Sequence, residues 1–157
     1  MHPSEVIPLE RLHEERYSRI LCYPRLTHKE LKKRLRELKK IGVKAVEFAG
    51  EKIAFDVPVL GKGCVGIVVK AHTSWGRVAL KIRRVDADRA DMQCEVEMLK
   101  RANAIHVGPS LLDFTDDFLL MEFVEGVLLP QWVMSLRGRG TRSRIRRVLR
   151  LVLEQCW

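Results

Sequence analysis

The segment VLGKGCVGIVVKAHTSWGRVALKI, residues 59–82, sets Gly61, Gly63 and Gly66 in GxGxxG spacing and then places Lys81 inside an apolar run. A lone GxGxxG is a weak signal, so its flanks decide what it is. In a dinucleotide-binding fold the third glycine opens a helix whose N-terminus meets the pyrophosphate. Here Gly66 leads into IVVKA, which is strand-like in its Val and Ile content. A P-loop ends in Gly-Lys followed by Ser or Thr, and the chain has no such triplet. What remains is a glycine-rich turn between two strands, where the backbone can come close to phosphate oxygens and aim its N–H groups at them.

The chain on either side supplies the partners of that turn. Residues 64–70 and 77–83 read as strands separated by HTSWG. In RVALKIR, Ala79, Lys81 and Arg83 share one face while Val78, Leu80 and Ile82 share the other, so a ligand side and a core side separate. From Asp86 to about Asn103, Met92, Val96 and Leu99 recur at helical spacing, with Gly108-Pro109 beyond the end. SLLDF and FLLMEFV, on either side of TDD, predict a last hairpin. Upstream, Pro8 opens a first helix carrying Leu9, Leu12, Tyr17 and Ile20, which Tyr23-Pro24 ends. Thr27 caps a second helix, HKELKKRLRELKK, with Leu31, Leu35 and Leu38 on one stripe and Gly42 as the stop. VKAVEF and KIAFDV read as a hairpin joined at AGE. After Gly126 a basic, glycine-broken stretch leads into Ile145, Val148, Leu149 and Val152 at helical spacing.

Taken together, these motifs resemble protein kinases. GKGCVGIV matches the glycine-rich loop GxGxxGxV at Gly61, Gly63, Gly66 and Val68, and VALK closely resembles the strand motif that ends at Lys81. VGPSLLDF is similar to the stretch after the helix in small atypical kinases of the RIO type and their prokaryotic relatives. The resemblance implies ATP as the ligand, with Lys62, Cys64 and Val65 completing the loop over its phosphates. It implies a carboxylate that holds Lys81. Glu95 in EVEML fits the ExxxL arrangement, with Met98 and Leu99 on the buried face, and Glu97 is the fallback. LLMEFVEG resembles the hinge, with Met121 as gatekeeper, Glu122, Phe123 and Val124 offering backbone groups to adenine, and Leu60, Val68 and Ala79 as the apolar lid. The implied fold is α+β. Residues 53–125 form a kinase-type small lobe of antiparallel sheet plus one helix, residues 1–52 a helical extension with a hairpin, and residues 126–157 a truncated start of the large lobe.

Composition limits the alternatives. With 157 residues and 46% hydrophobic content the chain can bury a core, and a net charge of +9 favours acidic partners. Cys22, Cys64, Cys94 and Cys156 lack metal-ligand spacing and read as reduced thiols of a cytoplasmic protein. No apolar run approaches the roughly 18 residues of a spanning helix, and the N-terminus carries charges where a signal peptide needs an apolar core. His72 and His106 read as surface loop residues.

Phosphoryl transfer in this family needs a catalytic-loop Asp and an Asn and Asp on magnesium. Beyond Glu125 the chain has no Asp, Asn or His, and Glu154 is the one carboxylate. Mg2+ is therefore expected only with a complete large lobe. Three accounts stay open: part of a serine/threonine kinase acting on an unidentified protein substrate, a nucleotide-binding regulator, or a binding module. The last draws on seven Lys or Arg in residues 28–40 and seven Arg from Arg137 to Arg150. Two helices and a hairpin at the N-terminus would also suit a winged-helix nucleic-acid binder. The exposed stripe of the 143–157 helix predicts self-association.

Overall fold

The computed structural model describes residues 4–88 and 91–156. They form two units, one running to Phe123 and one from Val124. The first unit is α+β and is built on an antiparallel sheet. Its strands are β1 (Glu5–Pro8), β2 (Ala45–Phe48), β5 (Gly61–Lys62), β6 (Gly66–Thr73), β7 (Gly76–Arg83), β8 (Leu111–Phe114) and β9 (Phe118–Glu122). They lie in the order β1-β2-β6-β7-β9-β8, with β5 on the same edge of β6 that β2 uses further along. β3 (Lys52–Ala54) and β4 (Val57–Val59) form a separate two-stranded ribbon. Helices α1 (Glu15–Leu21), α2 (His28–Lys40) and α3 (Gln93–Ala104) complete the unit.

Alternation along β6 and β7 splits the packing into two layers. Ile67, Val69 and Ala71 of β6, with Val78, Leu80 and Ile82 of β7, are buried in the main core together with Tyr17, Ile20, Leu21, Leu31 and Leu38 of α1 and α2. That core takes in residues from Ile7 to Leu120 and so joins β1 and β2 to the later strands. A smaller core of Met92, Val96 and Leu119, with Leu99 and Leu111 packed against it, holds α3 on the other side. The second helix forms as its sequence predicts. Thr27 Oγ1 accepts from the Glu30 N–H at 3.3 Å, and Gly42, at φ 73, turns the chain out of the helix.

Several expectations need correction. Pro8 opens only a single 3-10 turn, Leu9–Arg11, and the α-helix starts at Glu15; residues 5–8 pair with β2 at the edge of the sheet, with Ile7 buried and Pro8 at a strand end where its missing N–H costs no ladder bond. Residues 43–48 and 52–57 do not pair with each other. β2 is taken up between β1 and β6, and β3 turns back on β4 through Phe55 and Asp56. The glycine read as the hairpin turn has another task. A Cβ on Gly50, at φ 131, would lie 2.2 Å from the Val59 carbonyl oxygen, so Gly50 permits a close crossing of two chain segments. The 43–57 wing of a winged helix is therefore not built. Phe55 and Asp56 both have positive φ, 45 and 61, which for Phe55 costs about 1–2 kcal/mol. α3 begins at Gln93, whose N–H is capped by Asp91 Oδ1 at 2.9 Å, and residues 89 and 90 of its expected start lie outside the described residues. Met98 is exposed at 66%. His72 belongs to β6, not to a loop.

The second unit holds α4 (Leu129–Ser135) and α5 (Thr141–Cys156). Leu149, Val152 and Leu153 on α5 are exposed. Cys22, Cys64 and Cys94 are free thiols, and the Cys156 side chain lies outside the described residues. Burial pushes the Cys22 thiol up to about 11.

Candidate functional site

The glycine-rich segment is a tight strand-to-strand turn. Gly61 pairs with Val68 and Lys62 with Ile67, the Leu60 N–H donates to the Val68 carbonyl at 2.9 Å, and the Gly63 N–H donates to the Gly66 carbonyl at 2.9 Å. Cys64 and Val65 form the tip, Cys64 exposed and Val65 half-buried. The three glycines are not equivalent. A Cβ on Gly66 would fall 2.7 Å from the Ile82 carbonyl oxygen and 3.2 Å from Lys81 Cε, so the strand beside it leaves no room. On Gly61 and Gly63 a Cβ would make only ordinary contacts, at 3.6 Å to Val68 and 3.7 Å to Gly66. The fold alone does not demand glycine at 61 or 63, where a side chain would meet its neighbours at ordinary contact distance.

Lys81 follows from the register. It pairs with Val68 on one side and Leu119 on the other, opposite the Val78, Leu80 and Ile82 face. Leu119 is also the residue on which α3 rests through Met92 and Val96, so α3 lies over the Lys81 face. Glu95, one residue before Val96, then points back, and its Oε2 receives the Lys81 ammonium at 2.5 Å. Both side chains are about four-fifths buried, at 23% and 19% exposure. Glu97 is exposed and accepts from Gln93 Nε2 at 3.0 Å. Glu95 is thus the carboxylate that geometry brings to Lys81.

Ala79 is buried, Leu60 and Val68 are half-buried, and Met121 pairs with Ala79 across the strands. The Glu122 carboxylate turns to Ser110, accepting from its N–H at 3.1 Å and its hydroxyl at 2.9 Å, which holds it below the usual carboxylate range. Phe123 lies under the Lys70 ammonium at 5.2 Å from the ring centroid. Val124 is exposed and begins the second unit. On the same sheet face, Lys70 and His72 both reach Glu47, at 3.0 Å each. Burial pushes Glu47 up, but these two partners outweigh it and leave the carboxylate below its ordinary value.

Sequence reasoning missed a buried charge network behind the site. Asp117, fully buried, accepts from Lys33 Nζ at 2.7 Å, Arg34 Nη2 at 3.0 Å, and Arg83 Nε and Nη2 at 2.9 and 2.7 Å. Arg34, also fully buried, donates further to the Leu21 and Arg83 carbonyls and to Glu30. Burial pushes Asp117 up, yet Lys33, Arg34 and Arg83 together hold it below the usual range. A signal was present: Arg34 sits at the i+3 position of the Leu31, Leu35, Leu38 stripe, so a helix that buries the stripe buries Arg34. Among the described residues no three His, Cys, Asp or Glu side chains gather where they could hold a metal, and no helix is long and apolar enough to cross a membrane.

No family model matches the chain. It is similar to the serine/threonine-protein kinase YabT of Bacillus subtilis (strain 168), with 41% identity over 88 residues, taking in 47% of this chain. The chain covers 25% of that relative's length, so the likeness supports a kinase-like relationship at a coarse level.

Proposed function

We propose that the first unit is an ATP-binding lobe of protein-kinase type. The Gly61 to Gly66 turn would cradle the phosphates, and Leu60, Val68 and Ala79 would close over adenine. Met121 to Phe123 would serve as the hinge edge. Lys81 would contact the phosphates, held by Glu95. The observation that carries this reading is the Lys81–Glu95 contact at 2.5 Å, formed on the face next to a turn whose third glycine lies against the Lys81 side chain. A lysine anchored by a carboxylate from the next helix presents a fixed positive charge where phosphate oxygens would arrive. That Gly61 and Gly63 are glycine although a Cβ there would make only ordinary contacts is consistent with this reading.

ATP would supply the γ-phosphoryl group for transfer to a serine or threonine of a protein substrate. Within this reading residues 53–125 carry the kinase-type motifs of the small lobe, residues 1–52 are an extension whose strands β1 and β2 join the same sheet, and residues 126–157 would belong to the lobe that supplies magnesium ligands and the base. The 157 residues themselves carry none of those groups after Glu125. Given radiolabelled ATP, magnesium and a generic acceptor protein, the chain is expected to transfer no more phosphate than its Lys81→Met variant. ATP binding is the direct test. Titration followed by amide chemical shifts should move residues 60–68, 79–81 and 121–123, and shifts confined to α1 and α2 would refute the site.

A further inference from the structure

The glycine-rich turn is tied down from outside the sheet. The Lys62 ammonium lies 5.0 Å from the centroid of the Tyr23 ring, in the segment after α1, and the guanidinium carbon of Arg84 lies 5.0 Å from the same centroid. Arg84 also grips the turn directly, its N–H donating to the Val65 carbonyl at 2.9 Å and its Nη1 to the Gly63 carbonyl at 3.4 Å. Tyr23 is fixed in its turn. Its carbonyl accepts from the Val85 N–H at 2.9 Å, and its ring rests against Phe55 at 5.0 Å. Phe55 is the residue held at φ 45, a conformation that a bulky side chain keeps only where its surroundings over-determine it. The Arg19 guanidinium, 4.7 Å over the Phe55 ring, supplies part of that surrounding.

We propose that Tyr23 is a positioning residue for the glycine-rich turn: an aromatic anchor, backed by Phe55, that holds Lys62 and Arg84 and thereby sets where the Gly61 to Gly66 backbone stands above the sheet. The proposal rests on reading that turn as a phosphate cradle, and it adds a control that comes from residues before the sheet's glycine motif. The two cations have different roles. Arg84 is paired with Asp86 at 2.7 Å and stays on Tyr23, the permanent half of the anchor. Lys62 is exposed and has the ring as its partner, so a triphosphate, with full negative charges, draws it off the weaker ring quadrupole. Nucleotide binding therefore exchanges one tether for a direct phosphate contact while the other keeps the turn in place.

Amide hydrogen exchange without nucleotide tests the anchor apart from the binding reading. In Tyr23→Leu the Gly63 and Arg84 amides, whose bonds close the turn and tie it to β7, should exchange about tenfold faster, as expected for loss of two cation–ring contacts. The amides of β7 between Val78 and Ile82 should keep their rates. Tyr23→Phe retains the ring and should match the wild type. Lys62→Gln, a surface change that leaves folding intact, should speed Gly63 by about threefold, the smaller effect of losing one contact. This variant decides the matter if Tyr23→Leu does not fold. Unchanged Gly63 exchange in Lys62→Gln overturns the proposal, as does acceleration spread evenly over β7, or a Tyr23→Phe variant as fast as Tyr23→Leu. ATP titration of the wild type separates the two readings: failure to bind ATP refutes the phosphate cradle, whereas the exchange pattern alone judges the anchor.

Discussion

Helix α2 carries seven Lys or Arg residues and the stripe Leu31, Leu35, Leu38, while α5 carries five Arg residues and the stripe Ile145, Val148, Leu149, Val152. Written as patterns they are the same object. In the folded chain Leu38 is fully buried, whereas Leu149 and Val152 stand 47% and 44% exposed. The charges part company as well. α2 contains Glu30 and Glu37 and meets Asp117, so Arg34 and Lys33 are drawn into a network; α5 has Glu154 as its one acid. Periodicity tells which face of a helix wants cover, and only a second element with matching shape and charge supplies it. For α2 that element is the sheet, reached through β7 and the turn before β9.

The largest expected effect breaks this contrast at its charged centre. Removing a buried carboxylate shared by several cations takes away their common buried counter-charge, and such losses run to about 3–5 kcal/mol. Asp117→Ala should lower the unfolding free energy of the first unit, measured by urea titration, by about that amount, because Arg34 has no solvent to turn to. Arg146→Ala on α5 should change it by less than about 0.5 kcal/mol. Equal effects from the two variants would mean that the network is not what distinguishes the helices.

Truncation of the stripes comes next. Leu38→Ala should cost about 2–5 kcal/mol, the range for a large-to-small change in a packed core, since Leu38 is fully buried. Leu149→Ala should cost less than about 0.5 kcal/mol, because a side chain already half in water forfeits little on removal. Thermal unfolding of the two variants side by side measures the difference.

How much of this was legible follows the same division. The alternation in RVALKIR placed Lys81 opposite Val78, Leu80 and Ile82, and the register bears that out. The β6–β7 pair, the capped second helix and the 110–124 hairpin were readable because each depends on contacts near in sequence. The pairing of β2 was not, since its choice between β3 and β6 is made by partners more than twenty residues away. Gly50 misled for a related reason: a glycine signals missing space, and nothing local says whether the space is needed for a turn or for a crossing strand. Arg34 was hidden by its type, because a basic residue on a basic helix reads as solvated until the apolar neighbours at 31, 35 and 38 are taken into account. The pairing of Glu95, and not Glu97, with Lys81 rests on one residue of helical phase, and Val96 in the small core fixes that phase.

Acid should expose the network gradually. Asp117 is held below its ordinary value of 3.8, so its contribution is fully present above that pH and is lost as pH falls through the lower folded value. Glu47, held below 4.5 by Lys70 and His72, adds a loss of the same sign. Stability measured from pH 6 down to about pH 2 should therefore fall most steeply below about 4 in the wild type. In Asp117→Asn the fall should be shallower. An unchanged acid limb would place the titrating group elsewhere.

The smallest effect on folding is expected where the effect on ligand is greatest. Lys81 and Glu95 retain 23% and 19% exposure, so their pair is partly screened and should contribute only about 0–1 kcal/mol to stability. Lys81→Met keeps the aliphatic stem that lies against Gly66 and removes the charge, so the thermal midpoint should move by no more than about 4 °C. A charge-assisted contact to phosphate is a different matter, typically about 1.5–3 kcal/mol, and ATP affinity should fall roughly tenfold or more. Glu95→Gln leaves the ammonium in place with a weaker partner, so its loss of affinity should be smaller than that of Lys81→Met. Calorimetric titration of both variants beside their melting curves gives four numbers that must fall in this order. If Lys81→Met unfolds the chain while leaving ATP affinity intact, the lysine belongs to the same class as Arg34, a buried cation that holds the fold, and the ligand face of β7 has been misassigned.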